Sequence, residues 1–158
     1  MELTELLQAI RDARIYGVAY LIVYEKPAHS KWELSVFEKL SIPEISAEEF
    51  IGSLLEIGNS RLASSILTSL LHKDLAYNAE IIPLEQANLL ANAFISTFSN
   101  QAIYFSNSTW NKNEYKEGNR NHELGLSSWT SFTEATFDSG IIICDDNRIG
   151  IAWFADED

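Results

Sequence analysis

The apolar positions of this chain change their spacing several times, and each change marks an element. Leu3, Leu6, Leu7 and Ile10 recur at helical intervals, which predicts a helix over Leu3 to Arg14 with Thr4 as its N-cap. Ile15 to Tyr24 is rich in β-branched and aromatic residues and reads as a strand. Trp32, Leu34 and Val36 alternate with Glu33 and Ser35, so a second strand is expected over Trp32 to Phe37, with helix as the competing reading of so short a run. As a strand it would close a hairpin across Lys26-Pro27-Ala28-His29.

From Ile45 to Phe98 the period is helical. Ser46 followed by Glu49 forms a capping box ahead of Phe50, Leu54, Leu55 and Ile57, predicting a helix near 46–57. Gly58-Asn59-Ser60 interrupts it. Leu62, Ile66, Leu67, Leu70 and Leu71 form the stripe of a helix near 60–72. Pro83 suits the first turn of a third helix, near 83–98, with Leu89, Leu90, Ala93, Phe94 and Phe98 facing inward. Ala102 to Phe105 reads as a short strand, and Asn107 to Glu123 as a polar, mobile loop that carries Trp110 and Tyr115. Leu126 to Phe137 follows, with Trp129 and Phe132.

The closing segment is the most informative. Two apolar runs, Ile141–Cys144 and Ile149–Phe154, flank the turn Asp145-Asp146-Asn147, and the chain stops on Asp156-Glu157-Asp158. This predicts a C-terminal β-hairpin that presents carboxylates at its turn and at its far end. Taken together, residues 1–158 are expected to form a single α+β domain: a small, mainly antiparallel sheet with a C-terminal hairpin, packed on a layer of about three to four helices.

Charge narrows the function classes. Eleven Lys and Arg against 23 Asp and Glu give a net charge of −12, which argues against nucleic acid and against anionic membranes as partners. The excess sits at the two ends: residues 1–60 hold ten acids and five bases, and 124–158 hold seven acids and one base. The middle is nearly neutral, with three acids and two bases over 61–110 and three of each over 111–123. Such a distribution can form one acidic face if the ends meet in space. The single cysteine, Cys144, lies in an apolar run and reads as a packed core thiol. Acids rather than bases open the chain, and no run of about 18 apolar residues exists, so a cytoplasmic protein is expected.

Candidate chemistry is sparse. His72-Lys73-Asp74-Leu75-Ala76-Tyr77-Asn78 superficially matches a kinase catalytic loop, but its Asn comes one residue early and no glycine-rich loop or Asp-Phe-Gly element accompanies it. His29, His72 and His122 stand far apart, without a second ligand at metal spacing. No catalytic, cofactor-binding or metal-ligating residue is assigned. The candidates are instead partner contacts: Asp145, Asp146, Asp156, Glu157 and Asp158 on the hairpin, with Trp110 and Tyr115 in the polar loop as aromatic anchors.

Trp129-Thr130-Ser131-Phe132-Thr133, Thr136 to Ile142, Arg148 to Trp153 and the acidic end resemble the C-terminal portion of immunity proteins of bacterial polymorphic-toxin and contact-dependent growth-inhibition systems. Leu70 to Tyr77 carries a weaker echo. The resemblance covers about a quarter of the chain well and another tenth loosely, and its motifs are packing motifs. It implies a non-enzymatic, acidic cytoplasmic inhibitor without cofactor whose partner is one cognate toxin domain. A nuclease-like toxin is basic because it engages phosphates, and carboxylates on a rigid scaffold complement it. The alternatives are a small cytosolic enzyme of unknown chemistry using surface carboxylates, and a regulatory adaptor domain.

Overall fold

The computed structural model describes residues 1–28, 31–41, 45–112 and 124–157. Its helices are α1 (Leu3–Ala13), α2 (Trp32–Leu40), α3 (Ala47–Gly52), α4 (Ser60–His72) and α5 (Leu84–Ile95). Its strands are β1 (Val18–Glu25), β2 (Leu55–Ile57), β3 (Ile103–Ser106), β4 (Ser108–Lys112), β5 (Leu124–Trp129), β6 (Phe137–Cys144) and β7 (Arg148–Asp156). The chain is α+β. Five strands form an antiparallel sheet in the order β1-β7-β6-β3-β2, and β4 pairs with β5 in a separate ribbon.

The closing hairpin forms as its apolar runs require, with Ile141 opposite Ala152 and Cys144 opposite Ile149. It supplies the central strand of the main sheet, β6, and one of its two neighbours, β7. Strands with one wet face alternate apolar and polar residues, whereas Ile141-Ile142-Ile143-Cys144 and Ile149 to Ala155 are apolar almost throughout. Both faces are therefore covered, and the helices divide between them rather than forming one layer. Ile141, Ile143, Ala152 and Phe154 pack with Leu6 and Ile10 of α1, Ile66, Leu67 and Leu70 of α4, and Ala87, Ala91 and Phe94 of α5. The alternate residues Ile142, Ile149, Ile151 and Trp153 pack with Val36 and Leu40 of α2, Phe50 of α3 and Phe132. Gly140 makes room for this second core: a Cβ there would lie 2.6 Å from the Trp153 ring, which stacks on Phe132 at 4.9 Å and 13°.

Trp32–Leu40 is a helix, not a strand, and the hairpin across 26–29 does not form; β1 pairs along its length with β7 instead. Alternation over 32–36 fits a period of two, but Trp32, Val36, Phe37 and Leu40 together fit 3.6, and Val36 and Leu40 are the positions buried. Ser46 caps α3 as expected, Glu49 N–H donating to Ser46 Oγ at 3.1 Å, yet α3 stops at Gly52. Leu55–Ile57 leaves the expected helix to become an edge strand, with Glu56 opposite Phe105. Its apolar residues satisfy either period, and the open side of β3 decided between them.

Smaller differences follow the same logic. Thr4 does not cap α1; Glu2 holds the N-cap position without a side-chain bond. Pro83 is the N-cap of α5, and Leu89 and Ala93 point outward while Ala87, Ala91, Phe94 and Ile95 are buried. A small-residue stripe lets α5 approach α4, where Asn92 bonds Ser64 across the pair and Asn88 Nδ2 donates to Thr68 at 3.5 Å. Ser108–Lys112 of the expected loop is strand β4; His29, Tyr115, His122 and the rest of 113–123 lie outside the described residues. Cys144 is buried, and desolvation raises its thiol pKa against the lowering influence of Lys26, which suits packing rather than nucleophilic chemistry. Among the described residues no helix is long and apolar enough to cross a membrane.

Candidate functional site

Arg14, the residue that ends α1, turns inward and is 3% exposed. Its Nη1 and Nη2 donate to the two carboxylate oxygens of Asp156 at 2.8 and 2.6 Å. Nε donates to the Leu70 carbonyl at 2.7 Å and Nη1 also to the Tyr16 carbonyl at 2.7 Å. The guanidinium lies 4.9 Å over the Phe154 ring. Asp156 Oδ2 accepts a further bond from the Leu75 N–H at 2.8 Å. One buried ion pair thus ties the end of α1, the segment after α4 and the end of β7 together. Gly17 lies directly above it at φ 69°, where a Cβ would fall 2.2 Å from both the Ala155 carbonyl oxygen and Asp156 Oδ1, so only glycine fits.

The segment after α4 is shaped by Asp74. Its carboxylate accepts the N–H groups of Ala76, Tyr77 and Ala79 at 3.1, 2.8 and 2.6 Å, and Asn78 takes a left-handed conformation at φ 57°. The kinase-like string is therefore a self-bonded turn whose acid holds its own backbone and lifts Tyr77 to 69% exposure.

A cleft of ≈650 Å³ opens over this corner of the sheet. Tyr16, Tyr20 and Tyr77 line it together with the small apolar residues Val18, Ala79 and Ala135. Its acids are Asp74, Glu134, Asp156 and Glu157. Tyr16 and Val18 are more than half exposed although they sit beside a packed core. Glu157 is exposed and held in place by the N–H and hydroxyl of Thr136, both at 3.1 Å, and Glu134 is exposed without a hydrogen bond to the described residues.

The other candidate acids separate by position. Hairpin register places Asp145 eight residues along from the partner of Asp156, about 27 Å at about 3.4 Å per residue, so the two carboxylate groups never share a site. Asp145 is buried rather than presented. Its carboxylate accepts the N–H groups of Asn147, Arg148 and Ser99 at 2.9, 2.7 and 3.0 Å. Desolvation pushes its pKa up, but these backbone donors and the Arg148 charge outweigh it and hold the carboxyl below its ordinary value. Asp146 is exposed. Asp156 was expected to face a partner but is consumed by Arg14, and Asp158 lies outside the described residues. Trp110, in β4, is part-buried against the first core rather than displayed as an anchor. Of the five hairpin acids expected to make contacts, Asp146 and Glu157 are the exposed ones among the described residues.

Sequence reasoning missed Asp138, which is fully buried. It accepts the N–H groups of Phe132 and Thr133, the Thr133 hydroxyl at 2.7 Å and the Trp153 indole at 3.2 Å. That work is structural, since it pins the 130–136 segment that carries Glu134 to the sheet. The cleft was missed as well, because Tyr16, Tyr77 and Glu134 come from three distant stretches. Among the described residues no three His, Cys, Asp or Glu side chains are gathered to hold a metal ion. Compared with protein-family models, curated proteins and solved structures, the chain matches none of them.

Proposed function

We propose that this chain is an immunity-type binding protein, one that neutralises a cognate basic, nuclease-like toxin domain in the bacterial cytoplasm by charge and shape complementarity. The observation that carries this reading is the acid-rimmed tyrosine cleft, mounted on a frame that a buried ion pair holds still. A net charge of −12 supplies long-range attraction for a basic partner, while exposed tyrosines supply the area that slows release. Rigid mounting limits the entropy lost on binding. The tail that resembles immunity proteins contributes Thr133, Asp156 and Glu157 to the cleft or its walls, and the weaker echo contributes Asp74 and Tyr77.

The test is co-expression with a basic toxin domain encoded beside this chain. Rescue of growth, a stoichiometric complex and loss of nuclease activity in the purified mixture are expected. A toxin that stays active and unbound at saturating inhibitor would refute the reading.

A further inference from the structure

We infer that the cleft between Tyr16 and Tyr77 receives an arginine side chain carried on an extended segment of the basic partner. The inference rests on the reading of the chain as a binder of a basic protein, and it names the group recognised. Every charged residue lining the cleft among the described residues is acidic. An anion would be repelled, and a purely apolar group would bury the exposed Glu134 and Glu157 carboxylates for no return. A divalent cation needs several free oxygens around one point, whereas Asp74 is occupied by backbone N–H groups and Asp156 by Arg14. What fits both the acids and the tyrosines is a flat, weakly hydrated cation.

Guanidinium has that character: it stacks on aromatic faces and donates in a fixed fork, whereas ammonium is a compact, strongly hydrated point charge. Tyr16 and Tyr77 supply the faces, being 53% and 69% exposed. Glu134 and Glu157 supply the acceptors: the first has no internal hydrogen bond among the described residues, and the second spends only two of about four lone-pair positions on Thr136. Arg14 beneath the floor satisfies Asp156, so the cleft's free negative charge lies at its rim, where a side chain arrives first. Val18 and Tyr20 belong to the outermost strand of the sheet, so a segment seated here runs beside an edge without a strand neighbour among the described residues.

The experiment is an NMR titration of the full chain with acetyl-Gly-Gly-Arg-Gly-Gly-amide, its lysine analogue and its neutral isostere with citrulline. The arginine peptide should move the amides of Gly17, Tyr77 and Ala135 with saturable, salt-sensitive binding. Citrulline should bind at least about tenfold more weakly, with lysine between the two. Y16A, Y77A and the pair E134Q/E157Q, all at exposed positions, should each weaken the arginine peptide while leaving the melting temperature and the spectrum of the core unchanged. Equal binding of the citrulline peptide would make the cleft an apolar groove, and equal binding of lysine would make it a point-charge site. Either result overturns the proposal, as does the absence of saturable shifts at the cleft. Arginine binding without any neutralised toxin would instead sink the immunity reading and leave the cleft assignment standing. Neutralisation unaffected by the three cleft variants would do the reverse.

Discussion

Arg14 and Asp156 stand 142 positions apart in the chain and meet in two parallel hydrogen bonds of 2.8 and 2.6 Å, both side chains almost wholly buried. Such a pair adds little net stability, because desolvation of both charges offsets their attraction. Breaking it from one side is another matter. R14M or D156N leaves a buried charge without its partner and should cost about 3–5 kcal/mol in urea unfolding. The double variant R14M/D156L should recover part of that loss. Double-variant stability no better than the single variants would show that the bonds to Leu70, Tyr16 and Leu75, rather than the ion pair, carry the corner.

Asp145 gives the fold an acid-sensitive joint. Its folded pKa is depressed, so its contribution is complete above the unfolded value of about 3.9 and is lost as pH falls through the lower folded value. D145N should therefore be less stable than the natural chain near neutrality, and the gap should narrow as pH drops below about 4. Stability measured by denaturant between neutral and strongly acid pH checks the sign. A gap that stays constant with pH would mean that the carboxylate charge is not what the turn uses.

Asp138 is the acceptor that the 130–136 segment folds around. D138A removes the partner of the Phe132 and Thr133 N–H groups and of the Trp153 indole, each buried or part-buried. Orphaned donors cost about 1–3 kcal/mol apiece, so a loss of at least about 3 kcal/mol is expected. Near-ultraviolet circular dichroism should lose the Trp153–Phe132 signal, and cleft binding should fall because Glu134 and Ala135 are no longer held. An unchanged near-ultraviolet spectrum would count against this.

Exposed acids should act on rates. D146K/E157K touches no buried group, so the melting temperature should hold within about 2–4 °C, the shift that 1 kcal/mol produces in a domain of this size or somewhat larger. Association with a basic toxin should slow several-fold, with the effect largest at low salt. An unchanged on-rate at low salt would place steering elsewhere on the acidic surface.

Cys144 should be inert in the folded chain. It is 3% exposed between β-ladder neighbours, and desolvation raises its pKa. Reaction with a water-soluble disulfide reagent should therefore track unfolding and quicken only in denaturant. Rapid labelling of the native chain would contradict the packing.

The sequence by itself determined the elements whose period had no rival. Leu6 and Ile10 and Ile66 to Leu71 fit the helical period, the two short β-branched runs around Asp145-Asp146-Asn147 fit strands by their length and their turn, and each forms as read. The unbroken apolar character of 141–144 and 149–155 also contained the two-sided burial, although it reads at first as a simple hairpin. Tertiary structure decided the rest. Trp32 to Leu40 and Leu54 to Ile57 are compatible with both periods, and the helical surface of one core and the free side of β3 selected between them. Charge shows the same division. Composition fixes the sum of −12, but only the fold decides that Asp138, Asp145 and Asp156 are spent inside while Glu134, Asp146 and Glu157 face water. The cause is physical: a carboxylate is held inside only where enough donors converge on it, local ones joined by Ser99 at Asp145 and by Trp153 at Asp138, and no local pattern encodes the meeting of Arg14 with Asp156 or the convergence of Tyr16 and Tyr77 on one cleft.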